Sequence, residues 1–356
     1  MPRNSTTAKS GMVLLAVVLA GAACEPLSRE PNPVLTQQAS GTSARLQAVS
    51  AVNDRVAWAS GVEGSYARTT DGGATWTIGV VPGADSLQFR DVHAVDRNTA
   101  YLMSAGPGEL SRIYKTTDAG ETWTLQFTND EPNGFFDCFD FWNPVSGVAF
   151  SDAVAGHFFI ITTKDGETWE RVPPEMVPLA QPGEGSFAAS GTCVTVGGDS
   201  TAWIGTGAAH YARVLKTTNR GRTWSAFAGP LGKGTPTSGI ASIAFRDSLN
   251  GVAAGGEIGA PEEHNDNVAV TMDGGETWKV VGRTTFPGAV YGISWVTDAP
   301  IPTLVAVGPA GADYSVDEGK TWVPLDSLDY WGIGFAGPRA GWITGPDGRV
   351  VKVSMF

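Results

Sequence analysis

"TTDGGATW", residues 69–76, is the first of six closely related octapeptides. "TTDAGETW" follows at 116–123, "TTKDGETW" at 162–169, "TTNRGRTW" at 217–224, "TMDGGETW" at 271–278 and "SVDEGKTW" at 315–322. Their closing tryptophans, Trp76, Trp123, Trp169, Trp224, Trp278 and Trp322, stand 47, 46, 55, 54 and 44 residues apart. Periods of this length mark a repeat architecture. The intervening sequence alternates apolar and polar residues and is cut by Gly, Asp and Asn, so four-stranded propeller blades fit it better than helical pairs. The composition agrees: 46 glycines, 12 tryptophans and only 17% charged residues suit short strands joined by tight turns.

The rest of each unit lines up on the octapeptide. A first apolar strand recurs as "LQAVSAV" (46–52), "DVHAVD" (91–96), "CFDFWN" (138–143), "ASIAFRD" (241–247), "YGISWVT" (291–297) and "WGIGFAG" (331–337). A second strand recurs seven times, as "RVAWASG", "TAYLMSAG", "GVAFSD", "TAWIGTG", "GVAAGG", "LVAVG" and "GWITG", which predicts seven blades. The seventh unit reaches "GRVVKVSMF" without an octapeptide after it. "NPVLTQQASGTSARLQAV" (32–49) has the layout of "TWTIGVVPGADSLQFRDV" (75–92), so residues near 34–38 are expected to complete that blade and close the ring. Closure leaves only short, protected edges. The predicted fold is therefore an all-β, seven-bladed propeller of four-stranded antiparallel blades over residues 32–356.

The octapeptide chemistry suits a turn. Asp71, Asp118, Asp273 and Asp317 at the third position are placed to accept backbone N–H groups, and glycine at the fifth position permits positive φ. Two copies depart: Lys164 takes the acidic position with Asp165 displaced by one, and Asn219 replaces the acid in another. The tryptophan offers a large apolar plate between neighbouring sheets. This [ST]-x-D-x-G-x-T-W pattern resembles the Asp-box of the bacterial neuraminidase repeat, found in sialidases and related propellers. That resemblance implies that the boxes lie between third and fourth strands, opposite the ligand-binding mouth, and act as scaffold. Units reading R-[IV]-x-K-T-T-D-x-G-x-T-W look most like the photosystem II assembly factor-like propellers, which are non-enzymatic exported proteins. Members known for photosystem assembly carry an arginine-rich patch; no such run occurs here, and a photosynthetic role is not implied.

The N-terminus has the shape of an export signal over residues 1–23, with Arg3 and Lys9 ahead of "GMVLLAVVLAGAA" and small residues before Cys24. Cys24 resembles the acylated cysteine of a bacterial lipoprotein, although Gly21 stands where that pattern prefers leucine; simple cleavage is the alternative. Residues 24–31 form a proline-containing tether. The expected location is thus the cell envelope, with membrane attachment only through the lipid. Cys138 and Cys193, aligned about four residues out of step on neighbouring strands, are expected to be buried free thiols.

Acidic residues outnumber basic ones 36 to 24 with no basic stripe, which argues against nucleic acid. The four histidines lack ligand spacing, and "PEEHNDN" (261–267) lacks the alternating acidic spacing of a calcium loop, so no metal and no cofactor are expected. A sialidase-like glycoside hydrolase is the alternative function, but its arginine set is not specified by any motif here and no Arg-Ile-Pro signature occurs. The leading expectation is a monomeric, non-enzymatic scaffold that binds a protein, glycan or other extracellular ligand at the face opposite the boxes. Arg112, Arg213, Arg349, His157, His210, Asp137, Glu184 and Tyr291 are the residues expected to line that mouth.

Overall fold

The computed structural model describes residues 1–2, 30–232 and 234–356 of the chain. The export segment beyond its first two residues, Cys24, and the tether up to residue 29 lie outside the described residues. The rest forms seven four-stranded antiparallel sheets. Six run in chain order from the central axis outward and span residues 46–80, 89–128, 136–171, 194–228, 238–282 and 292–326. The seventh contains Gly332–Phe335, Gly341–Thr344 and Val350–Ser354, and its outer strand is Val34–Gln38 from the other end of the chain. Val34 stands opposite Ser354 and Gln38 opposite Val350. Gln38 also ties this blade to the first: its Oε1 accepts the indole N–H groups of Trp76 at 3.1 Å and Trp342 at 3.2 Å. Among the described residues, no helix is long and apolar enough to cross a membrane.

Each blade is covered on both faces by its neighbours, so its second strand is apolar throughout rather than alternating; Ala57–Gly61 and Ala100–Ser104 are buried along their whole length. The core accordingly divides into seven apolar clusters, one in each seam between blades. Trp58, Tyr101, Trp203 and Trp342 occupy the same position in four second strands and are fully buried. Three of them also bond into the next blade: Trp58 to the Asp96 carbonyl, Tyr101 to that of Pro144 and Trp203 to that of Gly274. Truncating such a residue to alanine costs about 3–5 kcal/mol. The octapeptide tryptophans are the outer part of the same clusters, with Trp224 and Trp322 buried and the others partly so.

The six octapeptides are turns between third and fourth strands, with a common bonding pattern. Thr69 Oγ1 accepts the Gly73 N–H at 2.8 Å and donates to Asp71, whose carboxylate accepts the Thr75 N–H at 2.9 Å and the Thr75 hydroxyl at 2.6 Å. Gly73 needs φ 86° for this path. The same pattern holds around Asp118, Asp273 and Asp317. Asn219 reproduces it by donating its amide to Thr223, and Asp165 does so across a turn one residue tighter.

Cys138 and Cys193 form a disulfide with Cα atoms 5.8 Å apart, which corrects the expectation of two free thiols. The register shows why. Gly147 and Ala202 each pair with the turn threonine whose hydroxyl accepts the glycine N–H, Thr163 and Thr217, so the two blades can be superposed on those pairs. Cys138 then faces Phe150 while Cys193 accepts the N–H of Gly205, the residue equivalent to Phe150. The cysteines are at the same level of adjacent innermost strands, not four residues apart.

Candidate functional site

Antiparallel order sets which residues share a face. The repeated turns and the turns between first and second strands lie on one face. The segments leading into first strands and the turns between second and third strands lie on the other, which is the mouth. In four blades the first strand carries a bulge where it leaves the mouth: between Leu46 and Ala48, Phe89 and Asp91, Phe136 and Cys138, and Ile240 and Ser242. The extra residues are Gln47, Arg90, Asp137 and Ala241. A bulge re-aims the side chain it inserts, and three of these side chains are polar.

Two of them, Arg90 and Asp137, line a cavity of about 440 Å³ over the central channel. Arg90, Asp137, Asp152, Tyr291 and Trp331 supply its polar and aromatic lining, and Phe135, Phe187, Pro236 and Ile258 its apolar walls, so six of the seven blades contribute. Arg45, from the remaining blade, lies over Trp331 with its guanidinium carbon 4.5 Å from the ring centroid. Arg90 approaches the same ring at 5.8 Å, and Tyr291 meets it edge-on at 5.2 Å. Arg90 is held by the Ala188 carbonyl at 2.9 Å and Gln88 Oε1 at 2.8 Å.

Several polar atoms here are buried without a partner: Nε of Arg45 and Arg90, both side-chain amide atoms of Gln47, Asp137 Oδ2, Asp329 Oδ1 and Thr344 Oγ1. Buried polar groups are almost always bonded, and leaving one unbonded costs about 1–3 kcal/mol. Seven such atoms cluster at this end of the propeller. Burial, reinforced by the neighbouring Asp152, pushes Asp137 well above the usual carboxylate range, and burial pushes Asp152 up to about 6. Two carboxyls in contact share a proton because both cannot ionise cheaply. Burial and the Arg45 charge hold the Arg90 guanidinium below its ordinary value, and burial with Asp329 pushes the Tyr291 phenol up.

Of the residues expected at the mouth, Asp137 and Tyr291 line the cavity and the others do not. Arg213 and Glu184 bond each other instead: Nε to Oε1 at 2.9 Å and Nη2 to Oε2 at 2.5 Å, with Glu184 fully buried and also accepting from the Gln181 N–H and the Thr206 hydroxyl. Arg349 donates to the Asp329 carbonyl at 2.5 Å and Arg112 to that of Glu109 at 2.7 Å. His157 heads a third strand bridged to Leu179, and His210 is exposed beside Tyr211. The register shared by Arg112, Arg213 and Arg349 is the start of the third strand, two strands out from the innermost one. Of the residues outside that expected set, Arg45, Arg90, Asp152 and Trp331, only Arg90 had a legible signal: "FRDV", like "LQAV" and "FDCF", inserts a polar residue beside a buried one, where simple alternation fails.

A second hollow, of about 630 Å³, lies on the turn face between blades three and four and is lined by Lys164, Asn219, Arg220 and Arg222, from the two departing octapeptides. Its cations are engaged: Lys164 with Glu170, Arg220 Nε with the Asp199 carbonyl and Arg222 Nε with that of Asn219. No grouping of three or more potential metal ligands occurs among the described residues.

No family model and no curated protein matches the chain. Solved structures do. YCF48 from Cyanidioschyzon merolae is 16% identical with a TM-score of 0.61, over 90% of this chain and 98% of that one. YCF48 bound to D1 peptide is 17% identical with a TM-score of 0.59, over 90% and 96%. An ancestral GH74 enzyme is 14% identical with a TM-score of 0.60, over 88% of this chain and 45% of that one. At these identities the likeness is one of fold.

Proposed function

We propose that this protein is a non-enzymatic binding scaffold of the cell envelope that receives a protein partner or extracellular ligand at the mouth opposite the repeated turns. The observation that carries the proposal is the set of bulges that places Gln47, Arg90 and Asp137 at the mouth, each keeping at least one buried unbonded polar atom, with Arg90 and Asp137 lining an open cavity. A propeller does not need those bulges to close, since three of the seven first strands lack them. The YCF48 structure with a D1 peptide is a precedent for peptide capture on this fold. The inter-blade disulfide suits export to an oxidising compartment.

Scaffold chemistry is favoured over glycoside hydrolysis. A tyrosine nucleophile needs a nearby carboxylate to activate it; Glu184 is consumed by Arg213, and the Tyr291 phenol is pushed away from the ionisation a nucleophile requires. Asp137 and Asp152 are in contact, closer than the carboxyl pair of either a retaining or an inverting glycosidase. A photo-crosslinking amino acid at Thr237, exposed on the rim, should capture a partner in intact cells, whereas one at Glu121 on the turn face should not. Capture at Glu121 alone, or turnover of fluorogenic glycosides by the purified protein, would reverse the assignment.

A further inference from the structure

The mouth holds opposite charges that are near each other and yet not joined. Arg90 and Asp137 act on one another electrostatically, but no ion pair links them, and each keeps a buried unbonded atom. Arg45 sits over the Trp331 ring with its Nε unpartnered. Burial and their mutual contact favour a shared proton on the Asp137–Asp152 pair. Keeping unpaired charges in a low-dielectric site is costly, and a ligand carrying both complementary charges relieves both costs at once. An anion alone would answer the arginines and leave the carboxyls; a cation alone would do the reverse. About 440 Å³ is the size of a small-molecule site rather than a protein footprint.

We propose that the mouth binds a small zwitterion with an apolar body, a free α-amino acid or short peptide. Its carboxylate faces Arg45 and Arg90, its ammonium the Asp137–Asp152 pair, and its side chain the Trp331 and Phe187 walls. This rests on the reading of the mouth as the binding face and adds the chemical class of what enters it. Whether the ammonium and carboxylate belong to a free amino acid or to a peptide's two ends, the recognising chemistry is the same.

Isothermal titration with free leucine, the dipeptide Leu-Phe, N-acetyl-Leu-Phe and Leu-Phe amide tests it on the full-length protein. Leucine or Leu-Phe should bind, and blocking either end of the dipeptide should weaken binding at least about tenfold. Arg45→Ala should erase the distinction between free and amidated dipeptide, and Asp152→Asn that between free and acetylated dipeptide; matched circular dichroism shows that both variants fold. Binding by leucine but not Leu-Phe assigns the site to free amino acids. No heat from either free ligand at millimolar concentration, or equal affinity for all three dipeptides, overturns the inference. In that event, a crosslink still formed at Thr237 leaves the scaffold reading standing; zwitterion binding without any crosslink there overturns the scaffold reading alone.

Discussion

The two faces of the propeller treat their carboxylates in opposite ways. On the turn face Asp71 is bonded by the Thr75 hydroxyl, the Thr75 N–H and Thr69, which hold its carboxyl at about 2, and the Thr277 hydroxyl does the same for Asp273. The Thr122 hydroxyl lowers Asp118 and the Thr168 N–H lowers Asp165. At Asp317 the Thr321 bonds prevail over burial. Every one of these acids has its acceptor capacity used. At the mouth and in the channel beneath it, burial raises Asp91, Asp137, Asp152 and Asp329 instead. One face uses carboxylates to fix backbone turns, and the other carries them at a cost in stability. That division is why the repeated motif, conspicuous as it is, says little about the ligand.

The disulfide between the first strands of blades three and four joins the residue next to Asp137 to its neighbour, directly under the costly groups. Closing a loop of 55 residues is worth about 4 kcal/mol in the chain-entropy view. Cys138→Ala with Cys193→Ala should therefore lower the unfolding free energy in urea by about that amount, the largest change expected here. A loss below about 1 kcal/mol would mean the mouth needs no staple. Next in size, Asp152→Asn should stabilise the protein at neutral pH by up to about 3 kcal/mol, because a carboxyl raised to about 6 on folding works against folding once deprotonated. A destabilised Asp152→Asn would place that acid among the structural groups.

On the other face Thr69→Val should cost about 1–3 kcal/mol, since the buried Gly73 N–H loses its acceptor. An unchanged melting temperature would show the turn bonds to be dispensable. The smallest net effect belongs to Arg45→Ala, where loss of the contact with Trp331 and removal of the unbonded Nε oppose each other; stability should change by less than about 1 kcal/mol while ligand binding weakens. If stability falls and binding does not, Arg45 is a packing residue.

The architecture was legible because each blade repeats the same turn chemistry: the six octapeptides and the seven second strands give the blade count directly. The disulfide was not legible because apolar strands leave their relative register unmarked in sequence, and only pairing through Thr163 and Thr217 sets Cys138 level with Cys193. The mouth was harder still. Asp137 and Tyr291 could be picked as polar residues leading into first strands, but Arg213 and Glu184 satisfy each other, a pairing across 29 residues that no local pattern announces. Bulges are a matter of register between strands, so the convergence of Gln47, Arg90 and Asp137 is visible only once the blades are assembled.

The most direct test of the contrast between the faces is the unfolding free energy of the unaltered protein as a function of pH. For the turn acids the folded value is depressed below the ordinary 3.8, so their contribution is complete above about 4 and is lost as pH falls toward about 2. For Asp152 the folded value is raised, so its penalty is absent below about 4 and complete above about 6. Stability should rise from pH 2 to about 4 and then fall toward pH 6, by about 3 kcal/mol from Asp152 and further from Asp91, Asp137 and Asp329, which burial also raises. A profile that keeps climbing through pH 6 would contradict the opposition between the two faces.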